Sequence, residues 1–352
     1  MHENGDIKFM RRCLDLAGKA EGMTYPNPLV GSVVVHNDII IGEGFHLKAG
    51  EPHAEVNAID SVKNRSLFKS SILYVNLEPC SHFGKTPPCT DMIIAMGIRK
   101  VVIGTKDTSA KVSGKGISEL RKAGCEVVTG VLEKECRWIN RRFFCFNEKG
   151  RPYIILKWAQ SADRYIDMIR ESGKALKPVW ITGKTERALV HRWRASEQAI
   201  LAGANTVRKD DPQLNVRDWA GKNPLRIVLS SSGRLDSNSA LFRTNGTYIV
   251  FLHNDVTEQI NGRKVKLDKN IASAPQVAGH LFKEGIQSVI IEGGREVLSH
   301  FISTGFWDEA RIFYGKDEFK EGIPAPEIHG KALSRKTFSR STLEIISNEL
   351  AQ

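Results

Sequence analysis

The segment "EPHAEVNAI", which begins at Glu51, sets His53 and Glu55 two residues apart at the expected start of a helix. Further along, "LEPCSHFGKTPPCTD", from Leu77, supplies Cys80 and Cys89 in a stretch rich in Pro, Gly, Ser and Thr. One imidazole and two thiolates suit Zn²⁺, and three protein ligands leave the fourth tetrahedral position to water, as in a catalytic site. Glu55, two residues after a ligand, can reach that water without binding the ion. A carboxylate so placed takes a proton and returns it to a leaving group. If the substrate is an amino-heterocycle, the leaving group is ammonia. His-x-Glu alone is a weak signal, since both residues could simply face solvent in a first helical turn. The two cysteines downstream make it strong.

The elements needed to bring these residues together can be read from the periodicity. "GSVVVHNDIIIGEGF" predicts a hairpin turning at Asn37-Asp38. A helix is expected from about His53 and a strand over "SILYVNL", which carries the chain to the cysteine loop. Pro79, Pro87 and Pro88 stiffen that loop. "TDMIIAMG" predicts a helix with Thr90 as N-cap and Gly97 as its stop, so Cys89 lies where unpaired N–H groups stabilise a thiolate. "KVVIGT", "GISELRKAG" and "CEVVTG" continue as strand, helix and strand, and one long helix is expected from Leu132 to Asn147. Alternation of this kind predicts an α/β layer. "NEKGRP" at 147–152 marks a boundary between a first domain over 1–147 and a second over 148–352. In the second, "YIILKWA", "RIVLS", "TYIVFL" and "SVIIEG" predict strands, with helices near 184–195, 275–284 and 295–304 and a closing strand pair.

At 352 residues the chain can hold two cores. No apolar run reaches the length of a membrane span. The first twenty or so residues form a charged amphipathic helix, with Ile7, Met10, Cys13, Leu14 and Ala17 on one face, and contain no apolar signal segment. A cytoplasmic location is expected, and no membrane partner. Six cysteines in such a chain do not predict a disulfide framework. Cys13, Cys125, Cys136 and Cys145 read as small buried hydrophobes. A formal charge of +11 suits either a nucleic-acid binder or an enzyme of phosphorylated metabolites and does not separate them.

His-x-Glu followed by Pro-Cys is the pattern of the zinc deaminases, whose Glu is not a ligand. Here eight residues separate the two cysteines, where base and nucleoside deaminases commonly have two. "HAEVNA", "LEPCSHFGKTPPC" and the upstream "PNPLVG" together closely resemble the deaminase domain of the bifunctional deaminase/reductase family of riboflavin biosynthesis. The resemblance implies a cytidine-deaminase-like three-layer fold and a substrate that is a diaminopyrimidinone carrying ribose 5-phosphate. It implies that Asn27 and His46 face the pyrimidine and ribose, and that His82, Lys85 and Thr86 contact the substrate, with Lys85 near the phosphate.

The second half has no G-x-G-x-x-G fingerprint. "VIIEGGREVLSHFI" runs strand, two glycines, helix, a junction that can aim N–H groups at an anion, with Gly293 and Gly294 removing steric obstruction. "WITG", "HRWRA", "LAGANTVRKDDPQLNVR", "RIVLSS" and "IEGG", in that order, resemble the dihydrofolate-reductase-like α/β domain of the same family. The resemblance places Ala159, Trp180, Thr206, Asp210, Ser231, Gly293 and Gly294 near NADPH, and Arg194, Leu214, Arg217 and Glu292 near the substrate. One departure is "SADRYID", where Arg164 replaces the glycine of the family's S-x-D-G; a bulky side chain there would crowd the nicotinamide or reroute the loop. The connection from Asp163 to Trp180 is also longer than usual.

The expected function is therefore two steps in one chain: zinc-dependent hydrolysis of the ring amino group, then NADPH-dependent reduction of the ribosyl to a ribityl chain. Expected partners are the small phosphorylated pyrimidine and further copies of the chain in a homo-oligomer, with no nucleic acid. The alternatives are a tRNA base deaminase with an appended binding domain, and a deaminase whose second domain does not catalyse.

Overall fold

The computed structural model describes residues 2–81, 87–109, 113–169, 180–244, 246–253 and 262–348. Two compact units divide the chain between Gly150 and Arg151, within the Gly/Pro break, where the sequence had suggested 147/148. Among the described residues no helix is long and apolar enough to cross a membrane, and all six cysteines are free thiols.

The first unit runs α1 (His2–Gly18), β1 (Gly31–His36), β2 (Ile39–Phe45), α2 (Ala54–Asp60), β3 (Ile72–Leu77), α3 (Cys89–Ala95), β4 (Lys100–Thr105), α4 (Lys115–Lys122), β5 (Glu126–Thr129), α5 (Glu133–Ile139) and α6 (Arg141–Lys149). Its five strands lie in the order β2-β1-β3-β4-β5. β1 is antiparallel to both its neighbours, and β3, β4 and β5 are parallel. The hairpin turns at Asn37 and Asp38, both with positive φ (47° and 60°), the left-handed pair that matches the twist of the strands. Alternation along the strands divides the core between two faces. Val33, Val35, Tyr74 and Val102 meet Phe9, Met10 and Cys13 of α1 and Cys136 of α5. Val34, Leu73, Val75, Val101 and Ile103 meet Ala58 and Ile59 of α2, Ile93 of α3 and Leu120 of α4. The result is the expected three-layer α/β unit.

Two boundaries differ from expectation. The helix from 132 to 147 is two, broken at Asn140. Both ends of that side-chain amide bind the Leu29 backbone, at 2.7 Å and 2.9 Å, and this bond outweighs continuation of the helix. α3 is capped by Pro88 rather than Thr90, which lies inside the helix and donates to Glu119 at 3.2 Å.

The second unit runs β6 (Tyr153–Gln160), β7 (Tyr165–Asp167), α7 (Lys184–Ser196), β8 (Ala199–Gly203), α8 (Ala204–Asp210), β9 (Leu225–Ser230), α9 (Ala240–Arg243), β10 (Tyr248–Leu252), β11 (Arg263–Lys266), α10 (Ser273–Lys283), β12 (Ser288–Ile291), α11 (Arg295–Ser303), β13 (Glu309–Gly315), β14 (Ile323–Pro324), β15 (Lys331–Thr337) and β16 (Ser341–Ser347). Nine strands form one sheet in the order β11-β10-β9-β8-β12-β6-β13-β16-β15. From β11 to β13 every pair is parallel; β16 and β15 close one edge antiparallel. One face packs on α10 and α11 through Val277, Leu281, Leu298 and Phe301. The other packs on α7 through Val190, with Phe313 and Leu343 beneath it. Parallel strands of this kind end together, and ligands of open α/β sheets bind at their carboxyl ends.

The turn after β6 contains Arg164. Its φ is +68°, the left-handed region that favours glycine, so the loop keeps the glycine's conformation despite the side chain. Its N–H donates to the Ser161 carbonyl (3.1 Å) and its own carbonyl accepts from Ala325 (2.8 Å). The Asp163 carboxylate accepts from the backbone of Phe319 and Lys320, which fixes the same turn. The exposed Arg164 is absent from the lining of the cavity described below. Residues 170–179 of the long connection lie outside the described residues.

Candidate functional site

β3 and the first turn of α2 carry the first constellation. His53 is the N-cap residue of α2, with extended backbone (φ −72°, ψ 164°), and Glu55 follows in the first turn. β3 delivers Cys80 three residues past its end, and Cys89 opens α3. The ring nitrogen Nδ1 of His53 lies 3.3 Å from Cys89 Sγ and 3.5 Å from Cys80 Sγ. All three donor atoms fall within 4.8 Å of one another. A tetrahedral zinc with ordinary Zn–N and Zn–S bonds would separate nitrogen from sulfur by about 3.6 Å. The donor set therefore fits that ion, both by chemistry and by spacing. The Cys89 backbone N–H donates to Cys80 Sγ at 3.4 Å, so the start of α3 favours the thiolate of Cys80 rather than that of Cys89, whose thiol the hydrogen bond with Cys80 and burial push up. The hydrogen bond from Cys89, aided by His53, pulls the Cys80 thiol down to about 4 against the effect of burial, so the pair gives up its first proton readily.

Glu55 is 4% exposed beside these sulfurs. Burial first, and then the negative charge of Cys80, push its carboxyl up to about 7. Asn27 and His46 lie together: the Asn27 side-chain nitrogen is 3.0 Å from His46 Nε2. The His46 ring stands edge-on to that of His53, 5.4 Å between centroids. His82, Lys85 and Thr86 lie outside the described residues.

Sequence reasoning missed the residues that hold this site in shape. Glu78, 4% exposed, accepts from the backbone N–H groups of Asp107 (3.1 Å), Gly114 (3.0 Å) and Ile117 (3.2 Å), tying the cysteine loop to the start of α4. A Cβ at Gly116 would come within 2.1 Å of the Pro79 carbonyl oxygen, so α4 approaches that loop only because the residue is glycine. Asn76 and Asn140 both bind the Leu29 backbone behind Asn27. The signals available were a carboxylate directly before Pro-Cys and a glycine inside a helical pattern.

In the second unit a cavity of about 710 Å³ lies at the carboxyl ends of β6, β8, β9 and β12, within the usual range for a bound cofactor or metabolite. Ala159, Trp180, Thr206, Asp210, Ser231, Gly293 and Gly294 all line it, and so does Glu292. Arg208, Lys209 and Arg295 give the same wall positive charge, which fits the phosphates of NADPH. The two glycines act differently from expectation. A Cβ on Gly293 would meet the Gly203 nitrogen at 2.7 Å, so this glycine admits the neighbouring β8–α8 turn rather than a ligand. The Gly294 N–H is already bound by Thr206 Oγ1 at 2.8 Å.

The four residues expected at the substrate form one connected group, of which Glu292 alone lines the cavity. Arg194 is an ion-pair residue absent from the cavity lining; it donates to both Glu292 oxygens (2.7 Å and 2.9 Å) and to the Asn215 carbonyl (3.0 Å), so each of its three nitrogens already has a partner in the protein. Burial pushes the Glu292 carboxyl up, but Arg194 and Lys157 outweigh it and bring it down to about 2. Leu214 is 3% exposed and belongs to the interior. Arg217 is exposed and bonds Asn215 Oδ1 at 2.6 Å, outside the cavity lining.

Comparison with known proteins bears on both halves. Residues 3–105 match the cytidine and deoxycytidylate deaminase zinc-binding region, and residues 152–315 match the RibD C-terminal domain. The riboflavin biosynthesis protein RibD of Aquifex aeolicus is 39% identical over 338 residues, covering 94% of this chain and 89% of that protein. A crystal structure from Thermotoga maritima, of a diaminohydroxyphosphoribosylaminopyrimidine deaminase/5-amino-6-(5-phosphoribosylamino)uracil reductase, superposes with a TM-score of 0.88 at 36% identity, covering 99% of both chains. RibD of Acinetobacter baumannii gives a TM-score of 0.86 at 30% identity, covering 98% of this chain and 99% of that one. These relatives support the two-activity reading, not the tRNA deaminase or the non-catalytic second domain. The chain belongs to the RibD family and is a bifunctional enzyme of riboflavin biosynthesis, a zinc-dependent deaminase joined to an NADPH-dependent reductase that together act on a small phosphorylated pyrimidine.

Proposed function

We propose that the first unit deaminates a diaminopyrimidinone bearing ribose 5-phosphate, and that the second reduces the ribosyl group of the product to ribityl. In this reading His53, Cys80 and Cys89 hold the zinc, which when bound supplies the Lewis acidity that makes water nucleophilic near neutral pH. Glu55 takes a proton from the attacking water and delivers it to the ring amino nitrogen, which leaves as ammonia, while the remaining hydroxyl proton passes to the adjacent ring nitrogen and the ring carbon becomes a carbonyl. Its burial supports that role, because a carboxyl with raised proton affinity holds the proton between the two transfers. Asn27 orients the pyrimidine, and His82, Lys85 and Thr86 contact the substrate, with Lys85 near the phosphate.

NADPH, when bound, supplies the hydride. Ala159, Trp180, Thr206, Asp210, Ser231 and the Gly293–Gly294 turn surround it in this reading, with Glu292 at the substrate end. Arg194 acts there by holding Glu292 ionised; the buried Leu214 steadies the segment whose Asn215 carbonyl Arg194 binds, and the exposed Arg217 of the same segment is offered to the substrate. The first domain ends at Gly150 and the second begins at Arg151. Free cysteines throughout support a reducing, cytoplasmic location. The exposed edge strand β15 supports self-association as a homo-oligomer, to be read by light scattering.

The observation that carries the proposal is one imidazole nitrogen and two sulfurs within 4.8 Å, with a buried carboxylate on the same helical turn. Glu55→Gln is expected to abolish ammonia release while zinc stays near one per chain, measured by a coupled ammonia assay and metal analysis. Retained ammonia release, or loss of the zinc, contradicts the assignment.

A further inference from the structure

His46 is 2% exposed, and both of its ring nitrogens are engaged within the protein. Nδ1 lies 3.1 Å from the Pro52 carbonyl oxygen, and Nε2 lies 3.0 Å from the Asn27 side-chain nitrogen. A carbonyl oxygen cannot donate, so Nδ1 must carry the ring proton. Nε2 of the neutral ring is then a bare acceptor, and only the NH₂ end of Asn27 can donate to it. The ring thus dictates which way the Asn27 amide faces. His46 keeps neither a proton nor a lone pair for a substrate.

We propose that His46 is a positioning residue: it locks the Asn27 amide so that the oxygen is the end presented to the pyrimidine, selecting a ring that offers an N–H donor there. This rests on the reading that Asn27 contacts the substrate. The backbone around Asn27 is held independently. The Asn27 N–H donates to the Thr24 carbonyl at 2.9 Å. Leu29 donates to Asn140 Oδ1 (2.7 Å) and accepts from Asn76 Nδ2 (3.0 Å), and Gly31 donates to Asn76 Oδ1 (2.8 Å). With the main chain fixed, rotation of the Asn27 amide is the soft coordinate that remains, and His46 removes it. The edge-on packing of the His46 ring against His53 keeps this amide beside the metal ligands.

The test uses the full-length, zinc-loaded enzyme and the rate of ammonia release. Asn27→Ala is expected to raise KM roughly tenfold, the worth of one neutral hydrogen bond. His46→Ala should raise KM by a similar factor, with a much smaller change in kcat and with zinc retained. The double variant should be no worse than Asn27→Ala, because both act through one contact. Additive losses would overturn the proposal by giving His46 a contact of its own. An unchanged KM in Asn27→Ala would instead remove the reading beneath it, and the proposal with it. A second measurement needs no variant: ¹⁵N NMR of the histidine-labelled native enzyme should show His46 neutral with its proton on Nδ1. A proton on Nε2 refutes the assignment, since Asn27 would then offer its oxygen to the ring.

Discussion

Arg164→Gly should stabilise the reductase unit. Arg164 sits at φ +68°, where a side chain costs about 1–2 kcal/mol relative to glycine. Glycine brings an opposing cost, since it frees the unfolded chain by roughly 0.5–1 kcal/mol. The remaining terms nearly cancel. The two hydrogen bonds of this residue are made by its backbone and survive the change, and the side chain is exposed. The net gain is about 0.5–1 kcal/mol, or a rise of roughly 1–4 °C in the transition of a unit this size. Calorimetry of the full chain should show one of two transitions moving up, because the units are separate cores. Arg164→Ala is the control: it removes the charge and length but keeps the Cβ, and should leave the transition in place. If alanine stabilises as much as glycine, backbone strain is not the cause and the argument fails. NADPH affinity should be unchanged in both variants, as Arg164 does not line the cavity.

Other outcomes follow from the same contacts. Glu78→Ala removes the acceptor of three buried backbone N–H groups and should cost roughly 3 kcal/mol or more in the deaminase unit; unfolding and zinc titration should both weaken, and unaltered zinc affinity would count against its anchoring role. The Glu292 carboxyl falls from 4.5 to about 2 on folding, so its contribution is complete above the unfolded value and is lost as pH drops from about 4.5 towards 2. That contribution is on the order of 3 kcal/mol, and Glu292→Gln should flatten the acid limb of the reductase stability curve; an identical limb rejects the assignment. Stripping zinc with a chelator should stop ammonia release and lower the deaminase transition, while NADPH consumption with the deaminated intermediate continues. Loss of both activities together would mean the two units do not depend on the metal separately.

The convergence of His53, Cys80 and Cys89 was legible because metal chemistry is tied to residue type: few other roles explain His-x-Glu before two cysteines in a proline-rich loop. The cavity of the second unit was readable only in part: Gly293 and Gly294 mark a strand–turn–helix junction by themselves, whereas Thr206 and Ser231 were placed by the family resemblance alone. β13 was not legible. It pairs with β6 along its length, yet its sequence "EARIFYG" interrupts the apolar pattern with Glu309 and Arg311. Those two charges are buried, bonded to each other at 2.6 Å, with Arg311 lying over the Trp193 ring.

What the residue types could not reveal was direction. Arg194 reads as a phosphate ligand until its guanidinium is seen committed to Glu292, and His46 reads as a substrate contact until both nitrogens are seen to be engaged. For Arg194 the deciding partner is remote, since Glu292 lies 98 residues away; for His46 the partners are nearer, Asn27 at 19 residues and Pro52 at 6, and only the fold shows which ring nitrogen each one takes. Buried polar groups must find partners or incur a large desolvation cost. Once a site is enclosed, each polar side chain is therefore either used up by the scaffold or left for the ligand. Glu55 falls in the second class: it is buried in the first turn of α2, beside the donor atoms of His53, Cys80 and Cys89. Glu292, equally enclosed, has its charge balanced by Arg194 and Lys157. The place of Glu55 beside the three donor atoms supports proton transfer in the first unit, and the ion pairs of Glu292 with Arg194 and Lys157 support a fixed negative charge in the second.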